Sequence, residues 1–254
     1  MQASQWLKTV QHWLLPEICV VCRRPSGRQR DLCETCLATF ARIERPCRSC
    51  ALPLPPATPS FALALPEPGL LESKEQELCG ACIGRERRFT RTVAAFTYTE
   101  PVSTLIAGFK YRAGLPQGRV LGDLLLRDLQ GHYAGAPLPS LLLPIPLYGS
   151  RLRERGFNQA LVLARQLGSA LQVPVAAEAL VRTRHTPAQR GLSAAQRKHN
   201  LRGVFQLQAD LSGYKAIALV DDVVTTMSTM HEVARVLWRA CPELELHAWC
   251  IARA

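Results

Sequence analysis

An α/β domain around a mostly parallel sheet, preceded by a small cysteine-rich metal module, is the architecture predicted for this chain of 254 residues. Three observations carry that expectation. Strand and helix patterns alternate from about Arg91 onward. The segment Ile217 to Thr229, IALVDDVVTTMST, is an apolar strand that runs into two adjacent carboxylates and a hydroxyl-rich turn before a helix. Eight of the ten cysteines fall in the first third as four C-x-x-C pairs.

The first residues, MQASQWLKTVQHWLLPEIC, place Trp6, Val10, Trp13 and Leu14 at helical spacing. A short amphipathic helix packed on its own domain is expected. Membrane-surface binding is the alternative, but its polar face offers only Lys8 and His12 as cations. Lys8, Gln11 and His12 also interrupt the apolar stretch that a signal peptide needs. No apolar run approaches the roughly 18–20 residues that cross a bilayer, so stable membrane insertion is not expected.

The pairs Cys19/Cys22, Cys33/Cys36, Cys47/Cys50 and Cys79/Cys82 follow. Each C-x-x-C brings two thiolates onto a tight knuckle, and two knuckles complete a tetrahedral zinc site. Eight thiolates supply two structural zinc sites. Sequential pairing is the default, and the spacing also allows a crossed arrangement. A disulfide framework would require an oxidising compartment, which no export signal supports. So small a module has too little core to fold without metal. A Pro-rich insert, residues 51–75, should form an irregular loop. The metal module is expected over residues 1–88 and the α/β domain over 89–254. Cys241 and Cys250 stand apart and read as buried apolar residues.

Within the α/β part, Arg91–Tyr98 reads as a strand, and Val102–Lys110 and Arg119–Leu129 as helices. Leu141–Ile145 is a short buried strand, Phe157–Leu171 a helix and Lys215–Val220 the central strand. Thr229–Ala240 is a helix and Glu245–Ile251 a last strand. A helix N-terminus presents unpaired N–H groups and a positive dipole end, which suits phosphate. Carboxylates at the carboxyl end of a strand lie where open α/β sheets bind ligands. Asp221 and Asp222 therefore suit ribose hydroxyls and a hard metal, and Val223, Val224, Thr225, Thr226, Met227, Ser228 and Thr229 suit a phosphate. An Asp-Asp pair after a strand also caps turns; the hydroxyl run that follows at phosphate-cradle spacing argues for the ligand.

The net charge is +11 and nearly all of it is arginine, with lysine only at Lys8, Lys74, Lys110, Lys198 and Lys215. Arginine grips phosphate oxygens with a planar fork. Such an excess fits anionic ligands or nucleic acid, or a proteome biased toward arginine. Aromatic content is 6%, too low for extensive base stacking, so backbone electrostatics would dominate any DNA binding.

The segment VDDVVTTMST resembles the phosphoribosyl-pyrophosphate (PRPP) motif of type I phosphoribosyltransferases, in which an apolar strand, two acids and a Thr/Gly-rich loop follow one another. That family usually has Gly where this chain has Met227, and Gly permits positive φ and close backbone approach. Met227 is a departure that can crowd the phosphate or change the turn. LLLPIPLYGSRLRERGFNQA resembles the family's pyrophosphate loop, with Pro146, Arg151, Arg153 and Arg155 at a strand end. RTRHTPAQRGLSAAQRKHNLRGVF resembles the mobile hood over the site, with Arg182, Arg184, Gln189, Arg190, Arg197 and Asn200. The same cations also fit a nucleic-acid backbone. FKYRAG sets Lys110 and Arg112 after a helix, and reads equally well as a charged helix end.

Taken together, the multi-cysteine module, FKYR, RERGFNQA, TPAQRGLSAAQRKHN and VDDVVTT resemble the ComF/GntX family over nearly the whole chain. The resemblance implies a double zinc ribbon followed by a type I phosphoribosyltransferase-like domain. It also implies a cytoplasmic role in natural competence and the use of external DNA. The expected ligands are PRPP, or another phosphorylated ribose, with Mg2+, and the expected partners are single-stranded DNA and DNA-uptake proteins. Two alternatives are an active Mg-dependent phosphoribosyltransferase of unknown acceptor and a PRPP-sensing regulator without turnover.

Overall fold

The computed structural model describes residues 17–27, 30–56, 78–84, 88–111, 114–184 and 200–254. The amphipathic helix expected near Trp6 and most of the Pro-rich insert lie outside these residues. Among the described residues six strands are formed: β1 (Arg91–Thr97), β2 (Leu141–Pro144), β3 (Leu180–Arg182), β4 (Phe205–Leu207), β5 (Ala216–Val224) and β6 (Glu245–Arg253). Four of them make one parallel sheet in the order β1-β6-β5-β2. The helices are α1 (Glu34–Leu37), α2 (Val102–Tyr111), α3 (Leu115–His132), α4 (Gly149–Arg155), α5 (Gln159–Leu171) and α6 (Ser228–Ala240).

Successive strand residues project to opposite faces, and the buried residues sort accordingly. Leu141, Leu143, Ile217, Leu219, Leu246 and Ala248 share one apolar cluster with Val233, Ala234 and Leu237 of α6. Leu142, Ala218, Val220 and Trp249 belong to the other, with residues of α2, α3 and α5. Strands buried on both faces read as unbroken apolar runs, which is why LLLP and IALV show no alternation.

The cysteine-rich part divides between these layers. Cys19 joins the α2–α3 cluster, whereas Cys47, Cys50 and Cys79 join the α6 cluster. This part also runs alongside β1. The Thr92 and Thr97 amides donate to the carbonyls of Arg48 and Ala41, both at 2.9 Å, and Arg42 forms an antiparallel bridge with Phe96. The Arg42 guanidinium then reaches Asp128 of α3 at 2.6 Å.

Most expected elements form within a few residues of their expected limits. Three findings differ. Arg151 to Arg155 lie on a helix rather than a loop, ended by Gly156 at φ 78°. The central strand continues through both acids to Val224, because Asp221, Val223 and Val224 keep their register with Cys250, Ala252 and Arg253. The hood segment begins and ends in an antiparallel pair, β3 with β4, a local pairing too short to show as periodicity.

Candidate functional site

A cavity of about 550 Å³ opens at the carboxyl edge of the sheet. Its lining includes Asp221, residues 223–229, Arg151, Arg155, Lys110 and the two tyrosines Tyr98 and Tyr111. The β5 strand delivers the acid, the N-terminus of α6 delivers the turn, and α4 delivers the arginines. Arg151 and Arg155 are four residues apart and so share one helix face. Arg153, two residues from each, is exposed and outside the lining; Pro146, half-buried, is outside it too.

The acidic pair does not face the cavity as a unit. Asp221 lines it, whereas Asp222 is only 8% exposed and absent from the lining. Asp222 Oδ2 lies 2.7 Å from Lys110 Nζ, and Lys110 reaches the cavity from α2. The Asp222 amide donates to Asp221 Oδ1 at 2.8 Å. Burial, and then the Asp222 charge, push the Asp221 carboxyl well above its ordinary range. Burial alone would lower the Lys110 ammonium, yet the two carboxylates hold it above its usual value.

The hydroxyl turn begins at Thr225; Val223 and Val224 are ladder residues that border the cavity. Met227 occupies the left-handed region, φ 59° and ψ 1°, at the start of α6. The turn that a glycine would make is thus kept. Its side chain is 4% exposed and packs in the α6 cluster. The Thr226 and Ser228 hydroxyls lie 2.8 Å apart.

The GFNQ tetrad positions Arg155. Asn158 caps α5 through the Ala160 amide at 3.0 Å and donates to the Ile145 carbonyl at 3.1 Å, which ties the helix to the end of β2. Arg155 Nη1 donates to Gln159 Oε1 at 2.9 Å, and its guanidinium lies 5.2 Å from the Tyr111 ring centre. Arg155 Nε and Gln159 Nε2 are buried without a hydrogen-bond partner among the described residues. Arg155 borders the cavity, so its orphaned donor is one that an anion there would satisfy.

Of the hood residues, Arg182 sits over Phe205 at 5.6 Å. Burial and then the Arg151 charge lower its pKa, with Asp221 opposing. Arg184 donates to the Arg202 carbonyl at 2.6 Å, at the base of the hairpin. Asn200 opens a helical turn there. Gln189, Arg190 and Arg197 lie outside the described residues.

The cysteines assemble sequentially. Cys19, Cys22, Cys33 and Cys36 form one set and Cys47, Cys50, Cys79 and Cys82 the other, with the sulfurs of each within 4.8 Å of one another. The Cys22–Cys33 and Cys50–Cys79 sulfurs are 3.9 and 3.6 Å apart. Zn–S bonds of ~2.3 Å in a tetrahedron put sulfurs about 3.8 Å apart, whereas a disulfide needs about 2.05 Å. Both sets therefore fit structural zinc. Burial raises the Cys19 thiol, but the backbone amides of Cys33, Cys22 and Val21 overcome it and bring it down to about 6. The Cys79 amide donates to Cys47 Sγ at 3.3 Å. Such donors favour thiolate, the form that binds metal.

Sequence reasoning assigned no site role to Lys110, Tyr98, Tyr111 or Gln159. FKYR and RGFNQ were visible as motifs, but only the packing of α2 and α4 shows that they meet.

Two four-cysteine zinc sites set against a parallel α/β sheet, with a cation-rich cavity at its carboxyl edge, define the class. Residues 10–83 match the model of the double zinc ribbon domain. Competence protein F of Haemophilus influenzae is 38% identical over 181 residues, 69% of this chain and 78% of that protein. The DNA utilization protein YhgH of Escherichia coli K12 is 32% identical over 242 residues, 94% of this chain and 98% of the relative. YhgH of Salmonella typhimurium is 31% identical over the same shares. The chain belongs to the ComF/GntX family of competence and DNA-utilization proteins. Among the described residues no helix is long and apolar enough to cross a membrane.

Proposed function

We propose that this protein acts in the cytoplasmic use of external DNA, and that its cavity binds PRPP or another phosphorylated ribose with Mg2+. The observation that carries the reading is the shared lining: Asp221, the Thr225–Thr229 turn, Arg151, Arg155 and Lys110 all border one cavity. Asp221 accepts the ribose hydroxyls. The hydroxyls and amides of the turn take the 5′-phosphate. The two arginines and Lys110 take the pyrophosphate, and the orphaned donor of Arg155 finds an acceptor there. Asp222 acts through Lys110, whose ammonium it aims. Lys110 already takes up Asp222, so Asp221 together with the ligand's own phosphate oxygens would hold the divalent cation, which would supply charge neutralisation. On this reading the zinc module spans 1–88 and the ligand-binding domain 89–254. The arginine-rich surface binds single-stranded DNA through its backbone.

Transfer of the phosphoribosyl group is the second reading, favoured by Tyr98 and Tyr111 in the lining. Their rings, 38% and 60% exposed, offer stacking faces to a planar acceptor. A lone pair of the acceptor would form the bond to the anomeric carbon while the C–O bond to pyrophosphate breaks.

Calorimetric titration of PRPP with Mg2+ tests the site. The parent protein should bind, and Asp221→Asn should lose binding while retaining its fold. Unchanged affinity would reject the assignment. Release of pyrophosphate with a nucleobase present would establish transfer. Single-stranded DNA affinity should fall steeply as salt rises, and a flat dependence would exclude backbone binding.

A further inference from the structure

Arg253 connects the second cysteine set to the turn at the cavity. This residue of β6 is 8% exposed and follows the apolar run Ala248–Ala252. Its Nε donates to the carbonyl of Cys50, a ligand of the second set, at 2.9 Å. Its Nη1 donates to the Val224 carbonyl at 3.3 Å and also to the Thr225 carbonyl. One guanidinium therefore joins the backbone of a zinc knuckle to the first residue of the phosphate turn.

The same two regions also meet through apolar packing. Cys47, Cys50, Ala51 and Cys79 share an apolar cluster with Val224, Met227 and Met230. Phe89 stacks on His231 of α6, ring centres 5.9 Å apart. The His231 amide in turn donates to the Met227 carbonyl at 2.8 Å. Met227 holds a backbone conformation that its own side chain disfavours, so the turn depends on what surrounds it. Among the described residues the first cysteine set has no such link: Cys19 packs in the cluster on the opposite face of the sheet.

We infer that metal at the second cysteine set, acting through Arg253, fixes the phosphate turn in its binding conformation, so that ligand affinity at the cavity depends on that metal and not on the first. The coupling rests on the phosphate-binding reading above, but it also makes a claim that needs no ligand. With the second metal gone, the Cys50 carbonyl is no longer held by its knuckle, and Arg253 loses one end of its bridge. The fork geometry matters, because one planar group reaches the Cys50 carbonyl in one direction and the Val224 and Thr225 carbonyls in another. Arg253 is thus a positioning residue.

The test compares the parent with Arg253→Met, Arg253→Lys, Cys82→Ser in the second set and Cys22→Ser in the first. Hydrogen exchange is followed on the peptide covering residues 225–231, zinc by elemental analysis, and PRPP affinity by calorimetry. Arg253→Met should keep both metals yet exchange faster in this peptide and bind PRPP about ten-fold more weakly. Arg253→Lys should behave alike, since one ammonium cannot span both carbonyls; full rescue by lysine would overturn the bridge. Cys82→Ser should match Arg253→Met, and Cys22→Ser should match the parent. Unchanged exchange in Arg253→Met overturns the coupling whether or not PRPP binds, and equal effects of the two cysteine variants overturn its selectivity. Should Cys82→Ser fail to fold, the metal-loaded Arg253→Met protein decides alone. Faster exchange with no PRPP binding by the parent supports the coupling and rejects the phosphoribosyl reading.

Discussion

Lys110 Nζ lies 2.7 Å from Asp222 Oδ2, between side chains that are 20% and 11% exposed. The pair crosses from α2 to the central strand and fixes one wall of the cavity. Two charges in so enclosed a place hold each other, and neither tolerates loss of the other.

Lys110→Met should therefore destabilise the protein by about 3–5 kcal/mol, because it leaves a buried carboxylate uncompensated. The double variant Lys110→Met/Asp222→Leu should recover most of that loss, since an apolar pair has no charge to desolvate. Urea unfolding of the two single variants and the double one measures both. Additive losses would show that the contact carries no coupling.

Met227 sets backbone strain against packing. A non-glycine residue in the left-handed region costs about 1–3 kcal/mol. Removing a buried methionine side chain costs about 2–5 kcal/mol. Packing wins, so Met227→Gly should lower stability, by about 1–3 kcal/mol, and should weaken PRPP binding, since the turn loses packing that holds it. Thermal unfolding and calorimetry report the two effects separately.

His247 is buried beside Tyr133, whose hydroxyl lies 2.8 Å from Nδ1. Burial first, and then the Arg91 charge, lower its pKa from 6.5 to about 4. The unfolded chain thus takes up the proton before the folded one does. The stability that neutral His247 confers is present above about pH 6.5 and declines down to about pH 4. Between about pH 7 and about pH 5 the loss is roughly 2 kcal/mol. His247→Gln keeps an acceptor for Tyr133 without titrating. Its unfolding free energy should fall less over this range, as urea midpoints at the two pH values would show.

The purified protein should carry about two zinc ions per chain. A serine at any one of the eight ligand positions should reduce the count to about one, because each set binds on its own. Elemental analysis decides, and a count near zero with cysteines oxidised would overturn the metal assignment.

Much of this was legible in the chain. Spacing alone located the eight zinc ligands, since C-x-x-C is a local geometry. Apolar runs located the buried strands, and i, i+3, i+4 spacing located α6. Tertiary placement was not legible. Whether Asp221 or Asp222 faces the cavity depends on strand parity and on a lysine more than 110 positions away in sequence. Arg151 to Arg155 carried no apolar stripe, because a short helix on the rim buries little, so it read as a loop. Arg253 gave no signal at all: an arginine at the end of HAWCIAR looks like a solvated strand end until the Cys50 carbonyl is found beside it.

The β1 strand stands at the margin of its sheet, and its outward amides at Thr92 and Thr97 are taken up by Arg48 and Ala41 of the metal module. A bare sheet margin is a template for strand addition by another molecule. The zinc ribbon thereby guards against aggregation as well as building a fold. Chelated protein should lose that guard, and its self-association should begin along β1.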